Sequence, residues 1–374
     1  MNKNADVDGF ATGGTFQPGA RIHGYVVERM LGKGGVGAVY LVRHEMLDRF
    51  FALKVLDPKM AEEKPEYVKR FVREARLASK IRHPNLVAVH DAGFDEGTDL
   101  YYLVMDYVRG STLRQAIALG GAMDEQKAVS IVSQVASALQ AAQRFGMVHR
   151  DIKPENIMIL PDDSIKLIDL GVAKATGDLD TFRTMDKTVF GTPSYMAPEQ
   201  AVDASMVDTR ADIYSLGIVF FEMLCGFTPY RGATSERVIL ELLSPRPIPD
   251  ICKFNSHVSP KLSAVISLMC AKRVEDRLAS PSALLETLVR LGYKIPSALA
   301  EYAPDEPSID KPMSYNAVVG SANNTLSFDT KDTEVQEFVG NLKRRRLLKQ
   351  LAWWVGGAIA TIVVALMLGL LLKG

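Results

Sequence analysis

The sequence predicts an α+β chain followed by a transmembrane helix, and three observations predict it. β-prone runs crowd into the first third, at 25–28, 38–42, 51–56, 86–94 and 100–105. Helical patterns appear at 67–81 and dominate later, near 112–119 and at 124–146 and 212–225. Residues 351–372 then run for 22 positions without a charge. At ~1.5 Å per residue such a helix crosses a hydrocarbon core of ~30 Å.

Residues 1–20 are polar, rich in Gly, Asn and Asp, and lack the apolar core of a signal peptide, so a flexible tail is expected. The first strand leads into Leu31-Gly32-Lys33-Gly34-Gly35-Val36-Gly37-Ala38-Val39-Tyr40. A G-x-G-x-x-G string is weak alone. In a dinucleotide fold it opens a helix, whereas β-prone residues follow here, so the glycines bend a strand–turn–strand hairpin. Without side chains there, backbone N–H groups can approach phosphate oxygens. The third strand carries one lysine, Lys54, in an apolar run, and the next helical pattern carries Glu74. Such a pair can form the ion pair that holds the α/β-phosphates of a nucleotide. His83-Pro84-Asn85 ends that helix, and a turn-rich stretch, 95–99, joins the last two strands.

The helix at 124–146 leads into His149-Arg150-Asp151-Ile152-Lys153-Pro154-Glu155-Asn156, with β-prone runs following at 157–160 and 165–168. An acid, a cation and an amide within one tight loop can orient a hydroxyl, neutralise a phosphate and ligate a metal. Downstream stand Asp169-Leu170-Gly171, Gly191-Thr192-Pro193-Ser194-Tyr195, Ala197-Pro198-Glu199, Asp212 at a helix start, and Arg277.

Taken in order, these motifs resemble protein kinases of the eukaryotic-type fold, in the Ser/Thr branch, from about Tyr25 to Leu291. The style of the strings, with a C-terminal span, is similar to bacterial membrane-anchored Ser/Thr kinases. The resemblance implies a two-lobed fold, a small β-rich lobe before a large helical one, with the kinase domain at 21–292. It implies ATP and Mg²⁺ as cofactors, with Mn²⁺ an alternative ion, and Ser/Thr-bearing proteins as substrates. Asp151 would then take or orient the hydroxyl proton, Lys153 reach the γ-phosphate, and Asn156 and Asp169 hold the metal. Hard Mg²⁺ suits such oxygen ligands. Leu31, Gly32, Lys33, Gly34, Gly35, Val36 and Gly37 would cover the nucleotide, with Val39, Ala52 and Met158 lining its pocket. Lys54 and Glu74 would fix its phosphates. Met105 would be the gatekeeper, and the backbone of 106–108, from Asp106 to Val108, would bind the purine edge.

Leu170 departs from the usual Phe, which changes packing but not the metal ligand beside it. By position, residues 172–190 form an activation segment. Thr188 is the leading phosphosite candidate, then Thr184, with Thr181 and Thr176 behind them. Arg150 would read the added phosphate through charge-assisted hydrogen bonds. Thr192 would contact the catalytic loop. Asp212 would anchor that loop, and Glu199 with Arg277 would form a buried ion pair.

Residues 293–342 are rich in Pro, Ser, Asn and acids and read as a disordered juxtamembrane linker. The basic stretch 343–350 flanks the span on its N-terminal side, which places the kinase domain in the cytoplasm. The reading is a single-pass, tail-anchored kinase of a bacterial cell membrane. Gly357, Thr361, Ala365 and Gly369 recur every four residues, a stripe through which two spans could form a homodimer.

Zero formal net charge argues against nucleic acid as a partner. Three widely spaced cysteines suggest reduced thiols, and the histidines show no zinc-like grouping. A small-molecule phosphotransferase would lack the Ala-Pro-Glu and Gly-Thr-Pro-Ser-Tyr strings, and a pseudokinase scaffold would have lost a catalytic group.

Overall fold

The computed structural model describes residues 10–11, 15–34, 37–63, 65–169, 193–203, 207–230 and 234–296. Strands β1 (Phe10–Ala11) and β2 (Thr15–Phe16) form a short ribbon. Strands β3 (Arg21–Ile22), β4 (Tyr25–Gly34), β5 (Gly37–His44) and β6 (Arg49–Leu56) follow. After helices α1 (Pro58–Glu63) and α2 (Pro65–Lys80) come β7 (Val89–Asp95) and β8 (Leu100–Asp106). The strands from β3 to β8 make one antiparallel sheet of six, ordered β3-β4-β5-β6-β8-β7.

Period-two alternation explains β5, whose Ala38, Tyr40 and Val42 point into the core while their neighbours stay partly exposed. Strand β6 is central and buried from Phe51 to Leu56, so Lys54 sits inside the sheet and not on a solvated edge. Helix α2 turns Tyr67, Val68, Phe71, Ala75 and Ala78 inward at helical spacing. The end of the expected flexible tail is ordered. Phe16 and Ala20 join the core of the sheet lobe, and the Phe16 N–H donates to the Tyr40 hydroxyl at 3.1 Å. Burying one such ring contributes about 1.5–3 kcal/mol, which composition alone did not weigh.

The second lobe is helical. It holds β9 (Ser111–Thr112), α3 (Leu113–Gly120), α4 (Glu125–Arg144), β10 (Ile157–Ile159) and β11 (Ile165–Leu167). Beyond them lie α5 (Pro198–Val202), α6 (Thr209–Cys225), α7 (Ser235–Leu243), α8 (Pro260–Met269) and α9 (Pro281–Arg290). Asp124 caps α4 by accepting from the Lys127 N–H. Helix α6 is buried all round from Ala211 to Leu224, which makes it the lobe's axis. It starts at the cap Asp208 and stops at Gly226, whose φ of 80° only glycine adopts freely.

The strand expected from 86 begins at Val89, because Leu86 forms a parallel bridge to Leu167 instead. The Val87 N–H donates to the Leu167 carbonyl at 3.0 Å, and the Leu167 N–H to the Asn85 carbonyl at 2.8 Å. This bridge joins the sheet lobe to the β10–β11 hairpin two residues before Asp169. Cys252 and Cys270 are free thiols. No helix among the described residues is long and apolar enough to cross a membrane. The expected span, its basic flank and residues 297–342 of the linker lie outside them.

Candidate active site

The loop after α4 is held by one buried carboxylate. Asp212, in the first turn of α6, accepts from the His149 N–H at 2.8 Å and the Arg150 N–H at 2.7 Å. Burial pushes its carboxyl up, and His149 and Arg150 counter only part of that. Arg150 has φ of 61° and Asp169 of 59°, the left-handed region, where a side chain costs about 1–3 kcal/mol. At Arg150 the Asp212 bonds offset that cost. Gln200, on α5, also donates to the Arg150 carbonyl at 3.1 Å.

This anchoring brings Asp151, Lys153 and Asn156 together. Oδ2 of Asp151 accepts from Lys153 Nζ at 2.9 Å and from Asn156 Nδ2 at 2.9 Å. The same Nδ2 reaches the Asp151 carbonyl at 2.8 Å. With its nitrogen committed, Asn156 keeps Oδ1 as its ligating atom. Burial would pull the Lys153 ammonium down, but Asp151 outweighs it and holds the group above its ordinary range. The Ile168 N–H donates to the Asn156 carbonyl at 2.9 Å, so Asp169 follows directly from the loop.

Lys54 donates to Asp169 Oδ1, and this replaces the Lys54–Glu74 ion pair expected from sequence. Burial raises the Glu74 carboxyl from 4.5 to about 8, against the pull of Arg150 and Lys54. Its Oε2 is buried without a hydrogen-bond partner. Burial pushes Asp169 up too, but the adjacent Lys54 ammonium overrides it and holds the carboxyl below its usual range. A half-exposed, ionised carboxylate already carrying a cation, one residue from the Asn156 contact, is a donor set that fits Mg²⁺.

The glycine-rich hairpin joins β4 and β5. Gly37 has φ of 154°, and a Cβ there would fall on the Val55 carbonyl, so the fold itself requires glycine. Added Cβ atoms at Gly32 and Gly34 would meet nothing within 4 Å. Protein packing therefore does not dictate those two, and their absent side chains leave the backbone open to a ligand. Leu31 and Lys33 are exposed along the same strand. Gly35 and Val36 lie outside the described residues.

Val39 pairs with Lys54, and Ala52 with Met105, across neighbouring strands. Ala52 and Met105 are buried, while Val108 and Met158 are half-buried. The Asp106 N–H already donates to the Ala88 carbonyl at 3.0 Å, so Asp106 has its own carbonyl to offer a purine. Farther off, Arg277 grips Glu199 with two parallel bonds of 2.6 and 2.7 Å. Leu170, Gly171, Thr176, Thr181, Thr184, Thr188 and Thr192 lie outside the described residues.

Sequence reasoning missed a polar cluster beside this loop. Arg114 of α3 contacts Glu155, Tyr195 and Glu222. Glu155 and Tyr195 stand inside recognised motifs, but nothing in the sequence singles out Arg114 or Glu222.

A sheet lobe, a helical lobe and an acid–lysine–amide cluster at their junction define the two-lobed kinase fold. A family model described as protein kinase domain matches residues 25–289. The chain is 34% identical over 333 residues to serine/threonine-protein kinase PknB of Mycobacterium tuberculosis, covering 88% of this chain and 52% of that protein. It is 38% identical over 255 residues to serine/threonine-protein kinase PrkC of Bacillus subtilis, covering 68% and 38%. The crystal structure of the PknI kinase domain of M. tuberculosis matches with TM-score 0.60 and 31% identity, covering 74% of this chain and 100% of that one. The chain belongs to the protein kinase domain family. It spans about half the length of the PknB sequence it matches.

Proposed function

We propose that this chain is an ATP-dependent Ser/Thr protein kinase that moves the γ-phosphoryl group of ATP to protein hydroxyls. The observation that carries the reading is the single carboxylate of Asp151 holding Lys153 and Asn156 within one loop. Asp151 takes the hydroxyl proton as the Ser or Thr oxygen attacks, and ADP leaves with the electron pair of the broken P–O bond. Lys153 offsets charge on the moving phosphoryl group, and Lys54 can swing its ammonium to the other phosphates. The open hairpin at Gly32 and Gly34 supplies backbone donors from above. Asp169 and Asn156 would hold Mg²⁺, which would supply positive charge to the phosphate oxygens.

Activation-segment phosphorylation by the kinase itself belongs to the same proposal. Nε of Arg150 is buried without a hydrogen-bond partner, and a phosphothreonine from 172–190 would supply the acceptor. Residues 351–372 anchor the chain in a membrane with the kinase domain on the cytoplasmic side, and the small-residue stripe pairs two spans. Signal transduction through protein substrates is the role this arrangement serves.

Phosphosite mapping of the wild type and of Lys54→Ala after expression tests the reading. Phosphothreonine at 176–188 in the wild type alone supports it; identical maps contradict it.

A further inference from the structure

Arg114 stands at the second position of α3 and belongs to no phosphotransfer motif. Its Nε donates to Glu155 Oε1 at 2.8 Å, its Nη1 to Glu222 Oε1 at 2.6 Å, and its Nη2 to the Tyr195 phenol oxygen. The Tyr195 hydroxyl in turn donates to Glu222 Oε2 at 2.6 Å. Four separate segments meet on this one guanidinium. They are α3, the Pro154–Asn156 turn of the catalytic loop, the Pro193–Tyr195 turn and the buried helix α6.

The chemistry suits arginine and no other residue. A planar fork of donors can serve two carboxylates and a phenol at once, whereas lysine offers a point charge. The Glu222 side chain is 5% exposed, so its charge needs a permanent counter-ion. Glu155 is different, because its side chain is 44% exposed, although its Oε2 is buried without a hydrogen-bond partner. Its place in the chain is what matters: Glu155 lies between Lys153 and Asn156, so holding it holds both. Tyr195 closes the turn that follows residues 170–192.

We infer that Arg114 is a positioning residue for phosphoryl transfer, tying the Lys153–Asn156 segment to the Tyr195 turn, which the kinase reading makes the platform for the protein substrate. The inference rests on the kinase reading for its substrate. It acts through Glu155, and it leaves the nucleotide contacts of the sheet lobe, Lys54 and the glycine-rich hairpin, in place.

The test uses the full chain in detergent micelles, comparing wild type, Arg114→Met, Arg114→Lys and Glu155→Gln. Steady-state kinetics with a generic basic protein give kcat and separate KM values for protein and ATP. Arg114→Met should lower kcat/KM for the protein about tenfold or more, with KM for ATP moving less than about twofold. Arg114→Lys should recover part of the loss. Glu155→Gln should reproduce the split, and the double variant should add little to either single one. Amide hydrogen exchange adds a readout that needs no activity. In Arg114→Met, exchange should quicken at Asn156 and Ile168 while the sheet lobe keeps its protection. Unchanged kinetics, or a loss shared equally by both substrates with a general rise in exchange, overturns the positioning role. Should the wild type transfer no phosphate, the kinase reading fails, and exchange at Asn156 and Ile168 still decides whether Arg114 holds the loop.

Discussion

The ammonium of Lys54 rests on the carboxylate of Asp169, 115 residues away in sequence, while the Glu74 carboxyl stays buried and neutral. A strand of the sheet lobe is thereby tied to the segment that follows the catalytic loop. The cation holds the Asp169 carboxyl below its usual range against the desolvation that opposes it, which favours the ionised state a metal ligand needs.

Removing either partner should therefore disable transfer for different reasons. Lys54→Met leaves Asp169 without its cation and the nucleotide without an ammonium, and should cut kcat about 10²–10³-fold. Asp169→Asn should do at least as much and also flatten the dependence of rate on Mg²⁺ concentration. Radiolabelled transfer over a Mg²⁺ titration checks both.

Glu74 gives the fold a pH dependence with a definite sign. Its folded value of about 8 lies above the ordinary 4.5, so the folded state binds the extra proton between those values. Stability from this group is complete below about 4.5 and declines as pH rises towards 8, by at most about 1.4 kcal/mol per pH unit. His83 acts oppositely at lower pH. Burial lowers it from 6.5 to about 4, so stability is lost as pH falls through that window. Glu74→Gln mimics the neutral acid, and its urea midpoint should stay level from pH 6.5 to 8 while the wild type declines.

The Arg277 side chain is 0% exposed and Glu199 is 19% exposed, so neither charge is well solvated. Three carbonyls, of Ala271, Arg210 and Lys272, complete the guanidinium's partners. Arg277→Met should cost about 3–5 kcal/mol by leaving the carboxylate buried without its cation. That corresponds to a fall of about 10 °C in thermal midpoint. Arg277→Lys should recover only part, because one ammonium cannot meet both oxygens and all three carbonyls.

For the proposed anchor, the full chain should sediment with membranes, and a chain ending at residue 342 should stay in the supernatant. External protease on intact spheroplasts should leave the kinase domain whole. Digestion of that domain would contradict the cytoplasmic placement.

Much of this was legible in the sequence because its chemistry is local. Glycine spacing, the His149–Asn156 string and strand alternation each announce themselves within a few residues. The order of the sheet was not, since β8 inserts between β6 and β7 through pairings no short window contains. Lys54 was recognised, but its partner was not. Choosing Asp169 over Glu74 depends on which carboxyl folding brings against the Lys54 ammonium, and a helix pattern carries no record of that. Arg114 and Glu222 were invisible for a similar reason, being 108 residues apart until folding brings them together.

The most direct test of the account is transfer from γ-labelled ATP to protein serine and threonine by the full chain with Mg²⁺, beside Asp151→Asn. The account predicts label on Ser/Thr with the wild type and a loss of about 10²-fold or more with the variant. Equal labelling by both proteins, or none by either, would contradict it.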